Sequence, residues 1–367
     1  VASVYFQKSV YVSRTAKVQK ILEQQGIASM LIPPGPDFFY FTGFETESME
    51  RLTVLVITPD RVVLVCPSLM KEQAEESTWL EEIEAWTDVE DPFAMLKSFL
   101  PEGRCAIGGT LPYSMLSGLR SAISGPDILA DAFTAPLRMS KDDAELQTIH
   151  EAVRKSEAAL LDTFPEISAG MTEIGIARIL DSKMVEHGLQ GPAFQTIVSA
   201  GSNSAMPHHS PDNTAVKRGD MLVIDFGGQH NGYASDITRT FFLGKPDTQF
   251  ERIYDLVRKA NEESRNSAGP ESTYGGLDAR ARSVIEAGGY GKYFIHRLGH
   301  GLGISVHEDP YVVGGNGQRL IRNSVFTIEP GIYIPGKGGV RIEDTNYFDG
   351  SRCVAFNTLT REMQIIH

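Results

Sequence analysis

The sequence predicts a two-domain α/β protein, with a mixed-sheet first domain and a β-rich second one. Three observations predict it. A chain of 367 residues is long enough for two hydrophobic cores. Helix-period and strand-like stretches alternate through the first 130 residues. From Phe194 onward short β-prone runs dominate, and the residues able to bind a metal concentrate there.

Residues 14–26 read as an amphipathic helix closed by Gly26. ASMLIP (28–33), LTVLVITP (52–59) and VVLVCP (62–67) read as strands. Helical patterns at 69–80 and 92–100 lead to a further strand, CAIGG (105–109). The acids between 72 and 90 are scattered, as on solvated faces. The first domain is expected over 1–131, a linker over 132–140 and the second domain over 141–367. Ser140 ahead of Asp142 and Asp143 reads as an N-cap with an acidic first turn, opening a helix through about Leu160. Thr172 opens another, to about 187, and helices near 247–265 and 277–287 interrupt the β-rich part.

The net charge of −13 argues against a nucleic-acid binder, which needs a basic face. Cys66, Cys105 and Cys353 are few, odd in number and without a CxxC pair, so a reducing, cytoplasmic setting is expected. No apolar run approaches the ~18 residues of a membrane span. The opening VASVYFQKSVYV is too polar for a secretory signal. A GxxxxGK[ST] phosphate loop, a dinucleotide fingerprint and a GxSxG elbow are all missing.

The chemistry lies in four segments. In IDFGGQHNGYASDITRT (224–240), two β-prone runs flank a Gly/Asn turn. A turn centred between His230 and Asn231 sets Asp225 opposite Asp236 on one sheet face. SVFTIEPGIYI (324–334) and GVRIEDTNYF (339–348) form a second hairpin, whose centre at Gly336 sets Glu329 opposite Glu343. Facing carboxylates repel unless a cation lies between them. His300, in GHGLGISVHEDP, adds a nitrogen. Four carboxylates and one imidazole suit two divalent cations better than a lone structural zinc.

His307 lies seven residues beyond His300, which lets one ring meet metal and the other substrate; Glu308 reads equally as an acceptor that orients His307 and as an ordinary exposed loop acid. His296 and His300 have HExxH-like spacing, but the glycines at 299, 301 and 303 disfavour the helix that motif needs. In TIVSAGSNSAMPHHSPD (196–212), His208 or His209 is expected to donate a proton or stabilise an oxyanion. The sequence leaves open which one.

The ordered set Asp225, Asp236, His300, Glu329 and Glu343, with GHGLGISVHE, TIEPG and RIED, resembles the methionine aminopeptidase/prolidase family of pita-bread metallopeptidases. The resemblance covers about residues 138–367. The first domain resembles that shared by prolidases, aminopeptidase P and creatinase, and FFYFTGF (38–44) is similar to its YLTGF stretch. Methionine aminopeptidases lack that domain, so the resemblance points to the Xaa-Pro branch.

The resemblance implies that Asp225 binds one metal with both oxygens, that Asp236 and Glu343 bridge, and that His300 and Glu329 complete the shells. It implies catalytic roles for His208, His307 and Glu329, the last as proton shuttle. Phe194, His296 and Arg341 form the implied substrate-binding set, Arg341 also steadying the acids, and Thr238 adds a hydroxyl on the same face. The implied reaction is cleavage of the bond before proline by a metal-bridging hydroxide. Manganese or cobalt is favoured, and zinc is able to occupy the site. An Xaa-Pro dipeptide is favoured over a longer Xaa-Pro peptide. A cytoplasmic homodimer with no nucleic-acid or membrane partner is expected. The alternatives are a same-fold hydrolase or lyase of a small non-peptide substrate, creatinase-like chemistry included, and a non-catalytic binding protein. The complete ligand set argues against creatinase-like chemistry and against a non-catalytic protein.

Overall fold

Gly26 ends the first helix because only a residue tolerant of φ +61° can turn the chain there. That helix, α1 (Lys8–Gln25), begins earlier than its apolar pattern suggested. The computed structural model describes residues 5–47 and 50–366, so the extreme N-terminus read above lies partly outside the described residues. The chain forms two compact units, divided after Arg138.

In the first unit, α1 is followed by β1 (Ile27–Ile32), α2 (Pro36–Thr42), β2 (Val54–Ile57), β3 (Val62–Pro67) and α3 (Lys71–Ser77). Then come β4 (Ile83–Trp86), α4 (Pro92–Phe99), β5 (Arg104–Ile107), α5 (Tyr113–Ala122), β6 (Asp127–Leu129) and α6 (Asp131–Met139). The strands form one mixed six-stranded sheet in the order β4-β3-β2-β1-β5-β6. Runs such as VVLVC are buried on both faces, and Leu31, Val54, Val65, Leu96 and Leu119 share one core. FFYFTGF lies mostly in α2, whose Phe38 and Phe41 are fully buried. The segment expected as a linker is largely the helix α6.

The second unit opens with α7 (Asp143–Thr163). Its cap is Asp142 rather than Ser140, since Asp142 and Glu145 close a reciprocal capping box. Ser140 instead donates to the Arg322 carbonyl. Next come α8 (Glu173–Glu186), capped by Thr172 as expected, β7 (Gly191–Pro192) and β8 (Ile197–Ala200). β9 (Met221–Phe226), β10 (Gly228–His230), β11 (Tyr233–Ala234) and β12 (Ile237–Leu243) make the first hairpin, followed by α9 (Thr248–Asn266) and α10 (Tyr274–Ala287). β13 (Gly299–Gly301), β14 (Glu308–Val312), β15 (Val325–Ile328), β16 (Gly331–Ile334), β17 (Gly338–Arg341) and β18 (Asp344–Phe348) follow. β19 (Cys353–Ala355) and β20 (Gln364–Ile366) complete the unit.

Two sheets carry the acids: β20-β12-β9-β8, and β14-β13-β15-β18-β19. Helices α9 and α10 bury Val257, Leu277 and Ile285 in one core with Phe326 and Ile328 from the second sheet. Among the described residues no helix is long and apolar enough to cross a membrane. All three cysteines are buried and free.

The hairpin registers differ in outcome. The second pairs Ile328 with Asp344 and Gly331 with Arg341, the register that sets Glu329 against Glu343. The first is shifted: Asp225 pairs with Thr238, not Asp236. Its turn is Asn231-Gly232, both at positive φ, one residue beyond the expected centre. Moving a turn centre by one residue moves the pairing by two, so the face is kept and Asp225 and Asp236 become diagonal neighbours.

Candidate metal centre

The acids reach one place because both hairpins interrupt their ladders there. Glu329 and Glu343 occupy the gap between the β15–β18 and β16–β17 pairings. Asn261, from α9, donates to the Ile328 and Ile342 carbonyls and pins that gap. The Glu343 backbone N–H donates to the Thr238 carbonyl at 3.0 Å, which joins the two hairpins. Asp236 lies in the break between β11 and β12.

Asp236, His300 and Glu343 are buried, and their ligand atoms lie within 4.8 Å of one another. His300 Nδ1 donates to the Gly301 carbonyl at 3.1 Å, which leaves Nε2 facing Asp236 Oδ2 at 3.5 Å and Glu329 Oε1 at 3.3 Å. His300 lies on a strand, and its glycine neighbours make room: a Cβ at Gly299 would collide with the Thr327 carbonyl, and one at Gly301 with Asp309. Asp225 Oδ2 accepts from Arg341 Nη2 at 2.6 Å, and Oδ1 is buried with no hydrogen-bond partner. All five residues line one cavity of about 640 Å³, ample for a small ligand.

Burial, then the mutual charge of the neighbouring acids, holds Asp236 and Glu343 well above the usual carboxylate range. Burial also raises Asp225, against the pull of Arg341. Burial acts on Glu329 in the same sense, but the His300 hydrogen bond and the positive charge of His300, His296 and Arg341 outweigh it, bringing Glu329 to about 2. A crowd of buried carboxylates, one with an orphaned oxygen, lacks positive charge. Divalent cations fit that deficit.

Arg341 supplies part of the missing charge. It is 3% exposed, and besides Asp225 it donates to Thr238 Oγ1 at 3.0 Å and Tyr333 Oη at 2.8 Å. Thr238 in turn donates to Glu343 Oε2 at 2.6 Å.

Family models match along nearly the whole chain. The metallopeptidase family M24 model covers residues 147–348, and the creatinase/prolidase N-terminal domain model covers 14–140. An Xaa-Pro dipeptidase of Lactobacillus delbrueckii subsp. lactis is 32% identical over 95% of this chain and 98% of its own. A recombinant prolidase from Thermococcus sibiricus, of known crystal structure, aligns with TM-score 0.91 and 32% identity over 97% and 99% of the two chains. An X-Pro aminopeptidase from Thermotoga maritima aligns with TM-score 0.87 and 33% identity over 96% and 99%.

The chain belongs to metallopeptidase family M24.

Membership implies divalent metal ions, consistent with the donor set described above. The other expected residues of this M24 chain also line the cavity: Phe194, His208, His296, His307 and Arg341. The His307 ring packs edge-on to His300 with centroids 4.1 Å apart, and burial followed by the nearby positive groups lowers it to about 4. His296 Nε2 lies 3.0 Å from Tyr333 Oη.

The adjacent histidines separate clearly. His209 Nε2 lies 2.7 Å from Glu173 Oε2, and Glu173 is fully buried, also accepting from the Ala200 and Asp212 backbone N–H groups. His208 is exposed at the cavity. Glu308 is not an exposed loop acid: its side chain is 8% exposed and accepts from the buried Lys141 ammonium at 2.5 Å.

Four contributors escaped the sequence reading: Tyr333, Glu173, Lys141 and Thr327, whose hydroxyl donates to Glu329 Oε1 at 3.1 Å. Thr327 stands two residues before Glu329, the same spacing logic that marked Thr238. The others carry no local signal.

Proposed function

We propose that the chain is a divalent-metal-dependent dipeptidase that cleaves the peptide bond before proline. The convergence of Asp225, Asp236, His300, Glu329 and Glu343 on one cavity, with Asp225 Oδ1 unpartnered, carries this reading. Near-full-length likeness to an Xaa-Pro dipeptidase supports the substrate class.

Those five residues would hold two metals. When bound, the ions polarise the scissile carbonyl and lower the pKa of the attacking water. Glu329 accepts the proton of that water on a carboxylate oxygen and passes it to the departing proline nitrogen, a poor leaving group until protonated. His307, brought to about 4, is neutral at pH 7 and offers one N–H to the developing oxyanion, as does exposed His208. Phe194, Ile197 and Val306 give the cavity apolar walls for a proline ring, which has no N–H to satisfy. The oxygen-rich donors favour manganese or cobalt. A cytoplasmic homodimer completes the proposal; three free buried cysteines fit a reducing setting.

Protein reconstituted with Mn²⁺ or Co²⁺ is expected to hydrolyse Ala-Pro, and Asp236→Asn or Glu343→Gln to abolish the activity. Inactivity on Ala-Pro and on Ala-Pro-Ala with two metals demonstrably bound would sink the assignment. The likeness to an X-Pro aminopeptidase favours a second reading, cleavage of longer peptides. A preference for Ala-Pro-Ala over Ala-Pro would select it.

A further inference from the structure

We propose that Arg239 is a positioning residue for the metal centre, holding the Glu343 backbone from the sheet face opposite the cavity. The inference rests on the reading of Glu343 as a metal ligand given above. Side chains alternate along a strand, so Arg239 of β12 points away from the face on which Thr238 donates to Glu343 Oε2 and Thr240 to the Arg341 carbonyl. It is 3% exposed and does not line the cavity. Every N–H of its guanidinium is nonetheless in use. Nη1 donates to the Thr238 carbonyl at 2.9 Å and to the Glu343 carbonyl at 2.5 Å. Nη2 donates to Asp344 Oδ1 at 2.8 Å and to the Leu359 carbonyl at 3.0 Å, and Nε to the Thr360 carbonyl at 3.1 Å.

Glu343 needs such a partner because its ladder is interrupted. It lies between β17 and β18, outside the paired registers of both. A buried peptide group without a partner is costly, so the N–H and C=O of Glu343 find partners beyond their own hairpin. The N–H donates to the Thr238 carbonyl at 3.0 Å, and the C=O accepts from Arg239. With the Thr238 hydroxyl on Oε2, two consecutive residues of β12 hold Glu343 by its backbone and by its carboxylate.

The far side of the guanidinium is fixed as well. Leu359 and Thr360 belong to a segment that Glu157 of α7 secures. Glu157 is 4% exposed and accepts from the Leu359 N–H at 2.9 Å and from Thr358 Oγ1 at 2.6 Å. Arg239 thereby ties the backbone of a metal ligand to a segment held by a helix. A ligand on a fixed backbone meets a cation without reordering, so losing the anchor weakens metal binding. Arg361 provides a comparison. Its Nε donates to the other oxygen of Asp344, Oδ2, at 2.6 Å, yet among the described residues it makes no hydrogen bond to Glu343.

The test titrates the metal-free full chain with Mn²⁺ by calorimetry, well below the melting temperature of each variant. Arg239→Lys keeps the charge beside Asp344, but an ammonium has fewer donors and no planar fork. It is expected to weaken Mn²⁺ binding roughly 10–100-fold. It should also change the visible absorption spectrum of the Co²⁺-saturated protein, which reports the geometry of the ligands. Arg239→Gln, which loses the charge too, is expected to bind Mn²⁺ at least as weakly and carries the same test in a second side chain. Arg361→Lys disturbs the same aspartate and should lower the melting temperature while leaving Mn²⁺ affinity and the Co²⁺ spectrum unchanged. Wild-type affinity and spectrum in the folded Arg239 variants, or equal weakening in Arg361→Lys, would overturn the role of Arg239. Undiminished Mn²⁺ binding by Glu343→Gln would overturn the ligand reading instead, and this inference with it.

Discussion

Asp225 divides its two oxygens between opposite fates: Oδ2 meets Arg341 Nη2 at 2.6 Å, and Oδ1 is buried without a partner. One arginine thus anchors a carboxylate whose other oxygen is left for a cation. The arrangement makes Arg341 structural as well as electrostatic, since its guanidinium also reaches Thr238 and Tyr333.

Removing that charge is therefore costly. Arg341→Met is expected to destabilise the metal-free protein by about 3 kcal/mol or more at pH 8, because a buried charge loses its partner. The loss is expected to be smaller at pH 5 than at pH 8, because the raised carboxylates take up protons as pH falls. Urea denaturation at the two pH values measures both effects, and a pH-independent loss would contradict the account.

Metal binding couples to protons with a definite sign. Asp225, Asp236 and Glu343 are raised in the folded protein, so above the unfolded carboxylate value of ~4 the native state holds protons the unfolded chain has released. Their contribution is full at low pH and is lost as pH rises through the folded values. Glu329, at about 2, acts oppositely, but its contribution is lost only as pH falls toward 2. His307, at about 4, is neutral in both states above pH 7. As pH rises through those raised values the chelator-treated protein should therefore melt at progressively lower temperature, while the stabilisation by added Mn²⁺ grows. Calorimetry in buffers of different ionisation enthalpy should show proton release on Mn²⁺ binding.

The adjacent histidines should part in their phenotypes. His208→Ala is expected to lower kcat by roughly 10²-fold or more with an unchanged melting temperature. His209→Ala leaves Glu173 buried without one of its partners and should cost about 1–3 kcal/mol of stability. Thermal melts run beside initial rates separate the two; equal effects would refute the division.

Lys141 and Glu308 form a buried pair, with side chains 1% and 8% exposed. Breaking it one-sidedly with Lys141→Met should destabilise by about 3–5 kcal/mol, whereas Lys141→Met combined with Glu308→Leu should recover much of the loss. Denaturant titration of the two singles and the double provides the coupling energy.

Much of this protein was legible in its residues. Hydrophobic periodicity marked the helices and strands, and Thr172 marked a helix start, because both signals act within a few residues. The ligand set was legible because carboxylates inside apolar strands are costly without a cation. The register of the second hairpin followed from its Pro-Gly turn, as Gly336 at φ +72° accepts the required conformation. The first register was also written locally, in Asn231-Gly232, but placing its centre one residue early shifted Asp225 from Thr238 to Asp236. Parity alone preserved the face.

Only the tertiary structure decided the rest. Which of His208 and His209 is held by a buried carboxylate depends on Glu173, 36 positions away from His209. Glu308 turns to Lys141 across 167 positions, and Tyr333 joins His296 to Arg341. Hydrogen bonds and ion pairs act over about 3 Å of space and are blind to distance along the chain. The sequence by itself therefore determined which groups could bind metal, and packing determined which partner each one has.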